Sequence, residues 1–188
     1  MTIFEQLQAF TPFNEQEASD RRLMLQYAGL FSDLLTRDNE MAHLTASCWI
    51  VNPDKTKVLL AYHNIYDSWA WLGGHADGET DLLAVALREV KEETDADASI
   101  IKYVGKSQYT FNTQEDTVVK DVHWYLMMGE SYHSKPQREE FFVDSGFYKY
   151  HEAVHLLKFS NEKQILEKAY SEYLDLKKSN LWGNRKYF

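Results

Sequence analysis

The chain holds one cysteine, Cys48, in 188 residues, so no intrachain disulfide can form. A crosslinked scaffold is excluded and a reducing cytoplasm is the expected setting. No apolar run is long enough to cross a bilayer, and the amino terminus, MTIFEQLQAF, lacks the basic region and apolar stretch of a secretory leader. Internal repeats and low-complexity segments are missing as well. Cations are scarce: 20 Lys and Arg stand against 29 Asp and Glu, a net charge of −9. Affinity for a nucleic-acid polymer comes from clustered Lys and Arg, so that partner is not expected, nor is a membrane. An acidic chain can still act on phosphates if metal ions bring the positive charge.

What is present concentrates between Gly73 and Ala96, GGHADGETDLLAVALREVKEETDA. A glycine turn runs into an apolar-periodic helix, expected over about Asp81 to Thr94, that carries Arg88, Glu89, Glu92 and Glu93. Residues three and four apart share a helix face, so Glu89 should meet Glu92 and Glu93 beside an apolar stripe of Leu83, Leu87 and Val90. Like charges at that spacing cost roughly 0.2–0.5 kcal/mol per pair, a cost removed by a hard divalent cation among the oxygens. An acidic, solvated helix face is the plainer alternative.

This stretch resembles the Nudix box, G-x5-E-x7-R-E-U-x-E-E-x-G-U with U aliphatic. The match starts at Gly74 and runs through Arg88-Glu89-Val90-Lys91-Glu92-Glu93. It departs from the pattern twice: Thr80 stands at the first glutamate, with Glu79 one residue early, and Asp95 replaces the closing glycine. The resemblance implies an α/β/α sandwich around a mixed sheet, covers roughly Ala46 to Leu157, and leaves an added N-terminal helical segment. It also implies hydrolysis of a diphosphate linkage by water attack at phosphorus. Glu89, Glu92 and Glu93 would be metal ligands, with Mg2+ (or Mn2+) as cofactor, and Glu92 and Glu93 would serve catalysis. Gly74 and Arg88 would be structural in the box. Many members use a further glutamate outside the box, for which Glu139 and Glu140 are placed by chain order; a solvated turn fits both equally.

Asn14 followed by EQEASDRRLMLQYAGLFSDLLTR reads as a capped amphipathic helix to Arg37 with Leu23, Leu25, Tyr27, Leu30, Phe31, Leu34 and Leu35 on one side. It is expected to be structural, or to be the interface of a possible homodimer. Strands are expected at Ala46 to Asn52 and Lys57 to Tyr62, joined at Pro53 to Thr56, then at Ser99 to Phe111 and Asp121 to Met128 around a polar loop from Asn112 to Val118. A further strand within Phe141 to Tyr150 and a closing helix from Asn161 to Lys178 complete the reading. The expected organisation is an extension over 1–40, a domain over 41–180 and a tail over 181–188.

Tyr66, Trp69 and Trp71 lead into the glycine turn, and one of them could stack a nucleobase, although such residues also fill cores. His43 and His75 lie where AHLTASCWIV and GGHADGE resemble isopentenyl-diphosphate isomerases, relatives that bind metal through histidines. Their reactive cysteine would fall on Gly73, so isomerase activity is the least favoured reading. The two histidines are either near the substrate or structural. The leading expectation is a hydrolase for a nucleoside diphosphate derivative such as ADP-ribose, a dinucleoside polyphosphate or a nucleotide sugar. The rival is a nucleotide-sensing domain without turnover.

Overall fold

The computed structural model describes residues 2–12, 15–112 and 117–178, and the side chains of these apart from 16, 17 and 106–121. Two helices lead, α1 (Ile3–Ala9) and α2 (Glu15–Leu30), followed by strands β1 (Leu44–Val51), β2 (Val58–His63), β3 (Ser68–Ala70) and β4 (Leu72–His75). Then come α3 (Leu82–Thr94), β5 (Ala98–Asn112), β6 (Thr117–Gly129), a 3-10 turn at Arg138–Glu140, β7 (Phe142–Tyr148), α4 (Tyr150–Leu156) and α5 (Ser160–Lys178).

All seven strands join one mixed sheet, ordered β3-β2-β1-β6-β5, with β4 paired to β1 and β7 paired to β2. The sheet is mixed because β1 runs parallel to β6, whereas its other neighbours, β2 and β4, are antiparallel to it. Every residue of β1 is buried, as a near-continuous apolar run requires when a strand is covered on both faces. One face packs Ala46, Cys48, Ile50, Leu59 and Leu72 against Val85, Ala86 and Val90 of α3 and Met24 of α2. The other packs Trp49, Leu60, Trp124 and Leu126 against Ile165, Leu166 and Ala169 of α5. Helices thus cover both faces of the sheet, giving the α/β/α sandwich expected. Among the described residues no helix is long and apolar enough to cross a membrane.

The helix expected from Asn14 to Arg37 ends at Leu30. Its N-cap, Asn14, lies outside the described residues, as do 113–116 and the tail 181–188. Leu30 points outward at 73% exposure, while Leu34 is buried only because the chain has left the helix and turned back. A compact loop makes that reversal: buried Asn39 donates to Asp33 Oδ1 at 2.8 Å, and its own Oδ1 accepts from the amides of Met41 and Ala42. The polar loop placed at Asn112 to Val118 is shorter than expected, since β6 begins at Thr117. Four further elements, α1, β3, β4 and α4, had no counterpart in the sequence reading. Thr2 starts α1 with a reciprocal cap, its hydroxyl accepting from the Glu5 amide and Glu5 accepting from the Thr2 amide.

Candidate active site

The glycine turn and α3 are fitted to one another through side chains of α3 and backbone of β4. Asp81 opens α3, its Oδ1 accepting from the amides of Leu83 and Ala84, a standard N-cap arrangement. The buried face of the helix is Leu82, Val85, Ala86 and Val90, continued by Glu93, and not the stripe of Leu83, Leu87 and Val90 expected from the sequence. Leu83 and Leu87 are only partly buried. Because Glu89 and Glu93 lie one turn and two turns beyond Ala86 on that same side, two of the three box glutamates are drawn inward.

Glycine is needed at both positions that receive them. The Glu93 Oε2 accepts the Gly73 amide at 3.0 Å. A Cβ on Gly74 would lie 2.2 Å from the Glu89 carboxylate, so the Glu89 head group occupies the space a side chain would take. Gly73 has φ +150 and faces the Ala46 carbonyl, 2.4 Å from where its Cβ would be. A cysteine therefore has no room there, and Cys48 is buried with its thiol donating to the Leu72 carbonyl at 3.6 Å. Burial pushes that thiol far above its ordinary range, which leaves it inert as a nucleophile.

Arg88 is the structural hub. Its Nη2 donates to the His75 carbonyl at 2.9 Å and to Glu89 Oε1 at 2.8 Å, and its Nε lies 3.5 Å from Glu92 Oε2. The guanidinium thus ties β4 to α3 and stands between two carboxylates. Among the described residues no group of three or more His, Cys, Asp or Glu side chains is gathered to hold a metal ion. The donor chemistry nonetheless suits a hard cation. Glu93 is buried, and burial raises its carboxyl well above the usual carboxylate range, with Glu89, Glu140 and Glu92 adding to the effect and the Gly73 amide opposing it. Burial also raises Glu89, against the pull of Arg88. Carboxylates placed at such a cost favour a positive charge among them, and oxygen-only donors suit magnesium or manganese. Glu89, Glu92 and Glu93 are the residues that could hold it.

The segment after β6 closes one side. The amide of Gln137 donates to the Glu93 carbonyl at 2.9 Å and that of Lys135 to the Thr94 carbonyl at 2.8 Å, so the 3-10 turn hangs from the end of α3. Glu139 and Glu140 are both exposed on it, and the charge of Glu140 is felt at Glu93 and at Arg37. Asp95, standing at the closing glycine of the box, takes the left-handed conformation itself, φ 51 and ψ 16. Lys91 holds its Oδ1 at 3.0 Å and His133 its Oδ2 at 3.2 Å.

The aromatic candidates separate. Trp69 is packed edge-on between Tyr62 and Tyr148, with ring centroids 5.5 and 5.0 Å away. Tyr66 is 67% exposed on the β2–β3 turn beside His63. Trp71 is half-buried, its indole N–H donating to Ser47 Oγ at 3.2 Å and its ring 4.5 Å from that of Trp124. Strand alternation puts Trp71, Gly73 and His75 on one face of β4. His75 and His43 lie side by side, centroids 5.0 Å apart, and His43 Nδ1 donates to the Asn39 carbonyl at 3.1 Å. Arg37 and Asp77, which the sequence reading did not single out, form an ion pair at 2.6 Å on the rim. Asp77-Gly78 was a turn signal; nothing local marked Arg37.

A family model for the NUDIX domain matches residues 41–169. The chain belongs to the Nudix family. As a member it is a hydrolase acting on diphosphate anhydrides. Among solved structures it is similar to a C. elegans Ap4A hydrolase in a binary complex, at 17% identity and TM-score 0.57, covering 70% of this chain and 97% of that one. The NUDIX domain of Shewanella oneidensis NrtR, complexed with ADP ribose, matches at 18% identity and TM-score 0.57, covering 79% and 97%. A NUDIX-family hydrolase from Clostridium perfringens matches at 22% identity and TM-score 0.53, covering 71% and 97%. At these identities the likeness is one of fold.

Proposed function

We propose that this Nudix protein is a magnesium-dependent pyrophosphohydrolase, with manganese as a substitute, that cleaves the diphosphate linkage of a nucleoside diphosphate derivative by water attack at phosphorus. The observation that carries the reading is the fit of Glu93 to the Gly73 amide and of Glu89 to the space at Gly74, which holds one buried and one partly buried carboxylate against the turn. A bound divalent ion would neutralise the diphosphate oxygens and lower the pKa of the attacking water. Within the chain, Arg88 fixes the turn by its bond to the His75 carbonyl, and Glu140, whose charge reaches Glu93, is the glutamate outside the box suited to take the proton from water. Trp71, two residues before Gly73 and on its strand face, is the flat surface for the base, and His43 and His75 border the same end of β4.

The substrate class is supported by this arrangement and by the likeness to an Ap4A hydrolase and to a NUDIX domain complexed with ADP ribose. A panel of ADP-ribose, a dinucleoside tetraphosphate and nucleotide sugars, assayed for phosphorylated products with magnesium, tests the reading. Turnover of one class with loss on chelation supports it. Binding without turnover would favour a nucleotide sensor, the reading to which the Arg88 bridge between Glu89 and Glu92 also lends itself.

A further inference from the structure

The family model begins at residue 41, yet the turn that opens the box is held from the N-terminal side of that boundary. Arg37 donates from Nε to Asp77 Oδ1 at 2.7 Å and from Nη2 to Oδ2 at 2.6 Å, a bidentate pair. The Leu35 carbonyl accepts the Gly78 amide at 2.8 Å, and the Gln6 side-chain amide donates to the Thr80 carbonyl at 3.0 Å. Residues 77–80 are therefore tied to α1 and to the loop after α2 at three places, Asp77, Gly78 and Thr80. That loop is itself hydrogen-bonded, through the buried Asn39 and through the Leu34 carbonyl, which accepts the Leu44 amide at 2.8 Å.

The turn is closed by its own bond, the Glu79 amide donating to the Ala76 carbonyl at 2.9 Å, with Asp77 at φ +49 and Gly78 at φ +91, a conformation that an Asp-Gly pair favours. The three outside bonds therefore fix where the turn lies against the rest of the chain. Thr80 takes part through its backbone, its carbonyl accepting from Gln6. The Glu79 side chain is turned forward along the chain, its Oε1 accepting the Asp81 amide at 2.9 Å. The turn runs directly from β4, where Gly73 and Gly74 receive Glu93 and Glu89, into Asp81, the cap that fixes where α3 begins.

We propose that Arg37, through Asp77, is a positioning residue for the Nudix turn: the N-terminal segment braces residues 77–80 and thereby sets β4 against the glutamates of α3. The pair is exposed, 61% and 41% for the two side chains, so it contributes little to global stability. Its effect is local order.

The test uses the full chain and compares Arg37→Ala, Asp77→Asn and the double variant. Asn tolerates the left-handed conformation, so Asp77→Asn removes the charge without straining the backbone. Hydrogen exchange is read at the amides of residues 76–80. Each single variant should speed exchange there by at least fivefold, with the melting temperature nearly unchanged, and the double should go no further, since the two groups act as one unit. Arg37→Lys should recover part of the protection. Exchange at 76–80 that is unchanged in Arg37→Ala, or effects that simply add in the double variant, would overturn the proposal. The turnover arm rests on the hydrolase reading above: kcat should fall about tenfold in Arg37→Ala and recover in part in Arg37→Lys. Exchange does not depend on that reading, so a wild-type protein that turned over no diphosphate while showing the predicted exchange pattern would sink the hydrolase assignment and leave the brace standing.

Discussion

Gly73 donates its amide to Glu93 Oε2 at 3.0 Å, a bond that joins β4 to the last turn of α3 across twenty positions of sequence. Through it a buried carboxylate is held in place with no ion pair to a cation among the described residues, while the nearby Arg88 is committed to Glu89, Glu92 and the His75 carbonyl. The glutamate that burial disfavours most as an anion is thus the one anchored by backbone.

Glu93→Gln keeps an acceptor for the Gly73 amide and removes the buried charge. Without metal at neutral pH, the variant should melt at the wild-type temperature or slightly above it, because the penalty for burying an anion is gone. Turnover should drop by on the order of a hundredfold or more, as charge stabilisation by the metal is weakened. Glu92→Gln, at a side chain 54% exposed, should match it in turnover and leave stability unmoved. Steady-state kinetics and thermal melting of the two variants check both statements; wild-type turnover in both would remove these residues from the mechanism.

The two glycines of the turn should respond differently to alanine. At Gly73 the new Cβ would meet backbone, the Ala46 carbonyl at 2.4 Å and Ser47 Cα at 2.5 Å, in a conformation unfavourable to any side chain. Gly73→Ala should cost about 3 kcal/mol or more. At Gly74 the obstacle is the far end of Glu89, which can swing aside. Gly74→Ala should therefore cost about 1 kcal/mol in stability and lose most activity. Denaturant titration beside an activity assay separates the two; equal stability losses would contradict this account.

Trp69 and Trp71 offer a comparison on substrate affinity. Trp71→Leu should raise KM for a nucleoside diphosphate substrate about tenfold with kcat little changed, in line with roughly 1–3 kcal/mol for stacking a base. Trp69→Leu removes a ring wedged between Tyr62 and Tyr148 and should cost about 2–3 kcal/mol of stability while leaving KM alone. If Trp69→Leu instead moved KM and Trp71→Leu did not, the base would lie elsewhere.

The parts of the fold that were legible in sequence are those set by local pattern. The spacing from Gly74 to Glu93 gave the helix, and the alternation of Val122, Trp124 and Leu126 gave β6 its α5-facing side. Elements fixed by distant partners were not legible. The LGGH of β4 has no strand-forming pattern and is a strand because Thr45 to Cys48 pair with it. Nothing between Leu30 and Arg37 breaks a helix, and the chain leaves it because Asn39 and the Leu34 carbonyl hold a loop that docks on the turn. Spacing put three glutamates together; the structure adds that Arg88 stands between two of them, a position no periodicity reveals. The pairing of Arg37 with Asp77 spans forty residues and had no signature at all.

Glu162 gives a test that does not involve the active site. It sits in the first turn of α5, only 4% exposed, and accepts the Phe159 amide at 3.2 Å. Burial pushes its carboxyl up from the ordinary 4.5 to about 7. Between those values the folded protein keeps a proton that the unfolded chain has released, so this residue's contribution is fully present below about pH 4.5 and is lost as pH rises through about 7. At 1.36 kcal/mol per unit the loss approaches about 3 kcal/mol. Within the same range His63, held below its ordinary value by burial, acts in the opposite direction. The informative quantity is therefore the difference between wild type and Glu162→Gln, in which His63 and the other buried groups cancel. Urea unfolding at pH 5 and pH 8 should show the variant gaining on wild type at the higher pH by about 1–3 kcal/mol, since Gln keeps an acceptor for Phe159 and carries no charge to bury. A difference that stayed constant from pH 5 to 8 would mean that Glu162 is ionised throughout and well solvated.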